Sequence, residues 1–90
     1  MIDVAPAVLA SYVGSYVLRP EFVLTVTVED GKLMVQATHQ EKFQVFAASM
    51  THFFYKVVDA QITFVPDKDG KVNKLILHQG GRDLEAVRQN

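Results

Sequence analysis

The sequence predicts an all-β domain, a small up-and-down antiparallel barrel of about eight strands with one short helix before them. Short segments with alternating apolar residues recur along the 90-residue chain at spacings of roughly 8 to 12 residues. Turn sequences such as Asp30-Gly31 and Gly80-Gly81 join neighbouring segments and are typical of tight hairpins. Consecutive hairpins give an antiparallel meander, and closing the meander into a barrel removes its exposed edges.

The helix signal lies at the start of the chain. Pro6 suits a first helical turn, Leu9 and Tyr12 share a face, and Gly14 fits a C-terminal cap. The spacing predicts a helix over about residues 6–12. One or two turns are not stable alone, so we expect the apolar face to pack on the barrel and plug one end.

Alternation defines the strands and the side chains that face inward. We expect Leu24 and Val26 of one strand and Leu33 and Val35 of the next to point into the core, with Thr25 pointing outward. A barrel of 90 residues is filled mostly by its own side chains or keeps a narrow cavity. The predicted strands, within a single domain over residues 1–90, are 15–18, 22–29, 32–38, 43–48, 52–57, 60–65, 72–79 and 82–88.

Composition excludes several classes of protein. Cysteine is absent, so neither disulfides nor thiolate chemistry are available. The formal charge is -1 and the basic residues are scattered, which argues against a nucleic-acid partner. No apolar run approaches the roughly 18 to 20 residues of a membrane span, and the start MIDVAPAVLA lacks the basic region of a secretory signal. The compartment depends on the parent protein: periplasmic or secreted if the parent carries a signal, otherwise cytoplasmic.

No motif in the sequence predicts catalysis or cofactor binding. His39, His52 and His78 lack the spacing of metal ligands and are expected to be scattered on the surface. Ser11, Ser15 and Ser49 lie in no nucleophile motif. We therefore expect a protein that is not an enzyme, with no catalytic, cofactor-binding or metal-binding residues.

A polar, glycine-rich segment covers Leu77-His78-Gln79-Gly80-Gly81-Arg82 at a strand end. It could line the barrel mouth and bind a small anion through Arg82 and backbone amides. A hairpin loop whose glycines adopt positive φ also explains the segment. We favour the hairpin loop because a single arginine without a helix N-terminus binds an anion only weakly.

Three consecutive aromatic residues, Phe53, Phe54 and Tyr55, break the alternation of a strand. If Phe54 points inward, Phe53 and Tyr55 point outward, and the reverse phase leaves Phe54 outside. Outward rings either pack under the helix against Leu9 or Tyr12 as a second small core, or form an exposed patch that docks a partner. The candidate interface or ligand-contact residues are Phe53, Tyr55, His78 and Arg82.

The chain resembles an uncharacterised β-rich domain family usually found C-terminal to β-lactamase-like, penicillin-binding-like serine hydrolases. The resemblance covers about residues 9–88. It departs at Gly80, where asparagine is common, and the Ser-x-x-Lys motif of the hydrolase is absent. It is carried by Leu9, Tyr12-Val13-Gly14, Tyr16, Leu24-Thr25-Val26, Asp30-Gly31-Lys32-Leu33, Phe53-Phe54, Asp59-Ala60-Gln61-Ile62-Thr63-Phe64, Gly70-Lys71-Val72 and Leu77-His78-Gln79-Gly80-Gly81-Arg82.

The resemblance implies a lipocalin-like barrel with an accessory role, catalysis residing in the hydrolase domain. Our first expectation is therefore a non-catalytic barrel that packs on a hydrolase domain or on copies of itself. The alternative is a lipocalin-like carrier of a small apolar ligand. An enzyme remains a third reading if His39, His78 or Arg82 converge in a pocket.

Overall fold

The computed structural model describes residues 2–89 and confirms the predicted fold class. One short helix precedes eight strands, which close into a barrel in sequence order, with β8 paired to β1 and every pair antiparallel. No helix within residues 2–89 has both the length and the apolar character needed to cross a membrane. The elements are α1 (Pro6–Ser11), β1 (Gly14–Arg19), β2 (Phe22–Glu29), β3 (Lys32–Ala37), β4 (Lys42–Ala47), β5 (His52–Tyr55), β6 (Ala60–Pro66), β7 (Val72–Gln79) and β8 (Arg82–Arg88).

The hairpin between β2 and β3 shows why its turn sequence is predictive. Asp30 and Gly31 both have positive φ, 53° and 75°. Such a two-residue turn has the twist that matches paired strands, and glycine adopts positive φ without steric cost. The register then places Glu29 opposite Lys32 and Val28 opposite Leu33, so the turn fixes which side chains face inward.

The end of the helix differs from the prediction. The C-terminal cap of α1 is Tyr12, and Gly14 is the first residue of β1 instead of the cap. The side chain of Arg88 explains the glycine, because a Cβ at position 14 would lie 2.8 Å from Arg88 Nε. Gly14 therefore provides room for the arginine where β1 and β8 meet.

The two ends of the barrel are closed differently. The turns after β2, β4 and β6 lie at the end that carries α1, which we call the helix end. The turns after β1, β3, β5 and β7 lie at the opposite end, which we call the open end. At the helix end the Tyr12 ring stacks on Phe64 with centroids 4.1 Å apart, and its hydroxyl donates to the Met50 carbonyl at 2.5 Å. The helix thus plugs one end, as the sequence predicts.

The barrel interior forms one apolar core. Leu24, Val26, Leu33 and Val35 are buried, as predicted from alternation, and Leu9 and Tyr12 of the helix region belong to the same cluster. Val28, at the helix end of β2, is 36% exposed, because the alternation continues past the point where the core ends. The largest fully buried side chains are Tyr16, Phe53, Phe64, Leu24, Ile62, Leu75, Val26 and Val35.

Candidate functional site

Phe53 lies inside the barrel, not on an outward patch. Its side chain is 1% exposed and meets the rings of Tyr12 and Phe64 edge to face, at 5.9 Å and 5.7 Å between centroids. Phe53 is paired with Ile62 in the register, so both share the inward face. The strand phase that turns Phe53 outward is therefore wrong, and so is a second small core, because the helix covers Phe53 as part of the single core. Phe53 is not available to a docking partner.

Tyr55 shares the inward phase of Phe53 but lies at the open end. Its ring meets Phe43 edge to face at 6.3 Å. Burial raises the pKa of the Tyr55 hydroxyl to about 12. The residue borders a narrow cavity of about 70 Å³ in the barrel mouth. Tyr55, one of the candidate contact residues, thus lies at the mouth of the barrel.

The mouth is apolar inside and mixed at its rim. Val57 and Val58 of the turn after β5 are 66% and 42% exposed. The strand predicted to continue to residue 57 ends at Tyr55, so both valines lie in the turn. The side chains that line the mouth together with Tyr55 and Val58 are Phe22, Leu24, Val35, Ala37, Gln40, Glu41, Phe43, Ala60, Leu77 and Gln79.

The ring displaced to the outer wall is Phe54. It faces Phe46 across the β4–β5 pair, with centroids 6.0 Å apart, and Lys56 Nζ lies 3.9 Å above the Phe46 ring. Both rings are only partly exposed. Neither Phe46 nor Lys56 is a residue that the sequence predicts as a candidate, and cross-strand pairing is the signal that could reveal them.

His78 and Arg82 border the same polar groove on the outside of the open end. The groove has a volume of about 280 Å³, and the carboxylates of Asp59 and Asp83 line it too. The Asp83 carboxylate accepts a hydrogen bond from His78 Nδ1 at 2.7 Å. Two carboxylates oppose the binding of an anion, so the electrostatics disfavour the anion site considered from the sequence.

Two of the three histidines come together on the outer wall, contrary to the expected scatter. Thr63 Oγ1 lies 2.8 Å from His52 Nδ1 and 2.8 Å from His78 Nε2, and the ring centroids are 5.8 Å apart. The far nitrogen of His52 lies 2.7 Å from Gln61 Oε1. The sheet register brings these residues together, since His52 pairs with Thr63 and Gln61 pairs with His78. Within residues 2–89 no group of three or more His, Cys, Asp or Glu side chains could hold a metal ion.

Thr63, His78 and Asp83 follow the order of a nucleophile, a base and a carboxylate. Thr63, however, lies in the middle of β6, paired with β5 on one side and β7 on the other. Sheet pairing engages the backbone amides there, whereas acyl transfer needs free donors aimed at the oxyanion. The arrangement therefore does not support hydrolysis.

Comparison with known proteins assigns the family. Residues 2–88 match a family model described as Domain of unknown function (DUF3471). The chain belongs to this family. Penicillin-binding protein 4* of Bacillus subtilis (strain 168) is 32% identical to the DUF3471 chain over 82 residues, which are 91% of this chain and 18% of that protein. No solved structure gives a significant match.

The relative supports the resemblance inferred from the sequence. The matched segment is less than a fifth of the penicillin-binding protein, so the DUF3471 chain corresponds to one part of a much longer protein. Its similarity to this segment associates the domain with a protein of the penicillin-binding type.

Proposed function

We propose that this DUF3471 barrel is a non-catalytic accessory domain that docks through its open end onto the hydrolase part of a penicillin-binding-type protein. A second copy of the barrel is the alternative occupant of the same end. The different closure of the two ends carries the proposal. The helix end exposes Met50 and Val28 but is plugged by Tyr12 stacked on Phe64, whereas the open end has an apolar mouth bordered by Val58, with Val57 exposed next to it.

The size of the mouth indicates what would enter it. A cavity of about 70 Å³ suits the tip of one apolar side chain rather than a whole ligand. We infer that the partner inserts such a side chain beside Tyr55 and covers the two valines. Apolar anchors that fill a pocket at the centre of an interface supply much of its binding energy.

Charge at the rim is of mixed sign. Glu41 and Gln40 lie on the turn after β3, and Lys56 and Asp59 lie on the turn after β5. Because no single sign of charge dominates, we expect the affinity to change little with salt concentration.

A carrier of the lipocalin type is the weaker candidate. Ligand pockets for small molecules measure about 300–1,000 Å³. Tyr16, Phe53 and Phe64 fill the interior of this barrel, and the cavity that remains at the mouth is about 70 Å³. A fatty acid should accordingly give no shift in the melting temperature, and a clear stabilising shift would favour the carrier instead.

Association can be measured against both proposed partners. Sedimentation velocity at high micromolar concentration reports self-association. Biolayer interferometry reports binding of this chain to a truncated penicillin-binding protein 4*, which lacks the segment similar to this chain. That segment, added back as a separate chain, is the positive control. We expect association with one of the two, and Val57→Ser and Val58→Ser should each weaken it at least about tenfold, or roughly 1.4 kcal/mol.

Matched controls come from exposed apolar residues elsewhere. Met50 is 55% exposed at the helix end and Val87 is 54% exposed on the wall. Met50→Ser and Val87→Ser should leave the association unchanged. A chain that binds neither partner, or one that loses binding equally in the control variants, would show that the open end is not the docking surface.

A further inference from the structure

We propose that the outer wall formed by β5–β8 binds a divalent transition-metal ion, with His52 Nδ1 and His78 Nε2 as its two imidazole ligands. This inference concerns the wall and does not rest on the docking of the open end. It starts from the convergence of both nitrogens on a single point, each 2.8 Å from Thr63 Oγ1.

The geometry needs little adjustment to accept a metal ion. Imidazole nitrogens bind Zn²⁺ at about 2.0–2.1 Å. An ion cannot occupy the position of Thr63 Oγ1, which is bonded to Cβ, but it can lie on the solvent side of that oxygen, with the hydroxyl as a weak ligand and a small rotation of each ring bringing its nitrogen into range. Both histidine side chains lie on the outer face of the sheet, where such a movement meets no core packing.

The far nitrogen of each ring already has an oxygen partner. His78 Nδ1 donates to the Asp83 carboxylate at 2.7 Å, and His52 Nε2 faces Gln61 Oε1 at 2.7 Å. Metal-binding histidines almost always donate their other N–H to a carboxylate or carbonyl oxygen, which fixes the tautomer and raises the basicity of the ligating nitrogen. In the tautomers in which each far nitrogen carries the proton, both inner nitrogens present lone pairs to the Thr63 hydroxyl.

These two lone pairs outnumber the protons available to them. The hydroxyl of Thr63 carries one proton and satisfies the lone pair of only one imidazole. The neutral pair is satisfied without a cation only if the Gln61 amide turns to offer its NH₂ to His52. With the amide oxygen facing His52 Nε2, the second inner lone pair is left for water or a cation.

The donor set defines the class of ion. Two imidazoles suit Zn²⁺, Ni²⁺ and Cu²⁺, whereas Mg²⁺ and Ca²⁺ prefer oxygen ligands. Because no third His, Cys, Asp or Glu joins the pair within residues 2–89, water fills the remaining positions. The affinity should therefore be well below that of a four-ligand structural zinc site.

Titration of the chain with ZnCl₂ and NiCl₂, followed by calorimetry, measures the binding directly. We expect one ion per chain, and His52→Asn and His78→Asn should each weaken binding at least tenfold. Asp83→Asn should weaken it about tenfold through the orientation of His78. His39→Asn is the matched control, because His39 lies in the turn after β3 and takes no part in the cluster. MgCl₂ should not bind.

Ring ¹H–¹⁵N spectra of the unmodified chain give a second measurement that needs no variant. Zinc should move the ring nitrogens of His52 and His78 and leave those of His39 in place. Absence of binding at millimolar zinc would overturn the proposal. So would binding that survives loss of both His52 and His78, or ring shifts confined to His39.

Discussion

At the scale of single residues, the three tyrosines show how burial controls ionisation. Burial raises the pKa of Tyr12, and it also raises that of Tyr16 despite the opposing effect of Arg88. For Tyr55 burial raises the pKa from 10.0 to about 12. The folded chain therefore holds these protons more tightly than the unfolded chain. The resulting contribution to stability is fully present below pH 10 and is lost as the pH rises from about 10 towards 12.

The absorbance of tyrosinate reports this directly, because the chain has three tyrosines and no tryptophan. At pH 10.5 the chain unfolded in urea should be about three-quarters ionised at tyrosine, and the folded chain much less. Replacement of Tyr55 by Phe should remove the component that titrates near pH 12. A folded chain whose tyrosines all titrate near pH 10 would contradict the burial of these side chains.

The phase of β5 could not be predicted from its residues. Phe53, Phe54 and Tyr55 are similar in apolar character, so alternation permits both phases. Contacts distant in sequence decide between them, because Phe53 packs against Tyr12 and Phe64 in the core. The predicted candidates therefore separate: Phe53 is buried, whereas Tyr55, His78 and Arg82 all lie towards the open end.

At the scale of the elements, local turn chemistry explains what the sequence does predict. The bounds of β2, β7 and β8 agree with the prediction, since Asp30-Gly31 and Gly80-Gly81 mark their ends. The predicted end of β5 at residue 57 is wrong because valine is typical of strands, whereas Val57 is 66% exposed in a turn. The histidine cluster was missed because His52 and His78 meet only through the registers of three strands, which no spacing along the chain reveals.

Unequal strand pairing predicts unequal local stability. β4 and β5 share three register pairs, and each also has three with its outer neighbour. In contrast, β6–β7 has seven register pairs and β7–β8 has six. Short ladders open at lower free energy, so we expect backbone amides of β4 and β5 to exchange hydrogen at least about tenfold faster than those of β7. Equal protection of β4 and β7 in an exchange experiment followed by NMR would show that the barrel opens only as a whole.

At the scale of the whole molecule, closure of the barrel depends on Arg88. β1 and β8 have two register pairs, and the N–H of Gln89 donates to the Ser15 carbonyl at 2.7 Å. The Arg88 guanidinium then donates to three carbonyls: that of Ser11 at 3.2 Å, that of Val72 at 2.8 Å and that of Val13. One planar side chain thereby connects the end of the helix, the start of β1 and the start of β7.

Loss of these bonds should weaken the fold as a unit. We expect Arg88→Ala to lower the free energy of unfolding by about 2–4 kcal/mol, since hydrogen bonds to charged groups contribute about 1.5–3 kcal/mol each and solvent replaces part of them. Arg88→Lys should not restore it, because an ammonium lacks the planar fork that reaches three carbonyls. Urea unfolding followed by circular dichroism measures the change.

Arg82→Ala, at an exposed hairpin position, is the control, and its free energy of unfolding should stay within about 0.5 kcal/mol of that of the unmodified chain. Equal midpoints for Arg88→Ala and Arg82→Ala would mean that strand pairing alone closes the barrel.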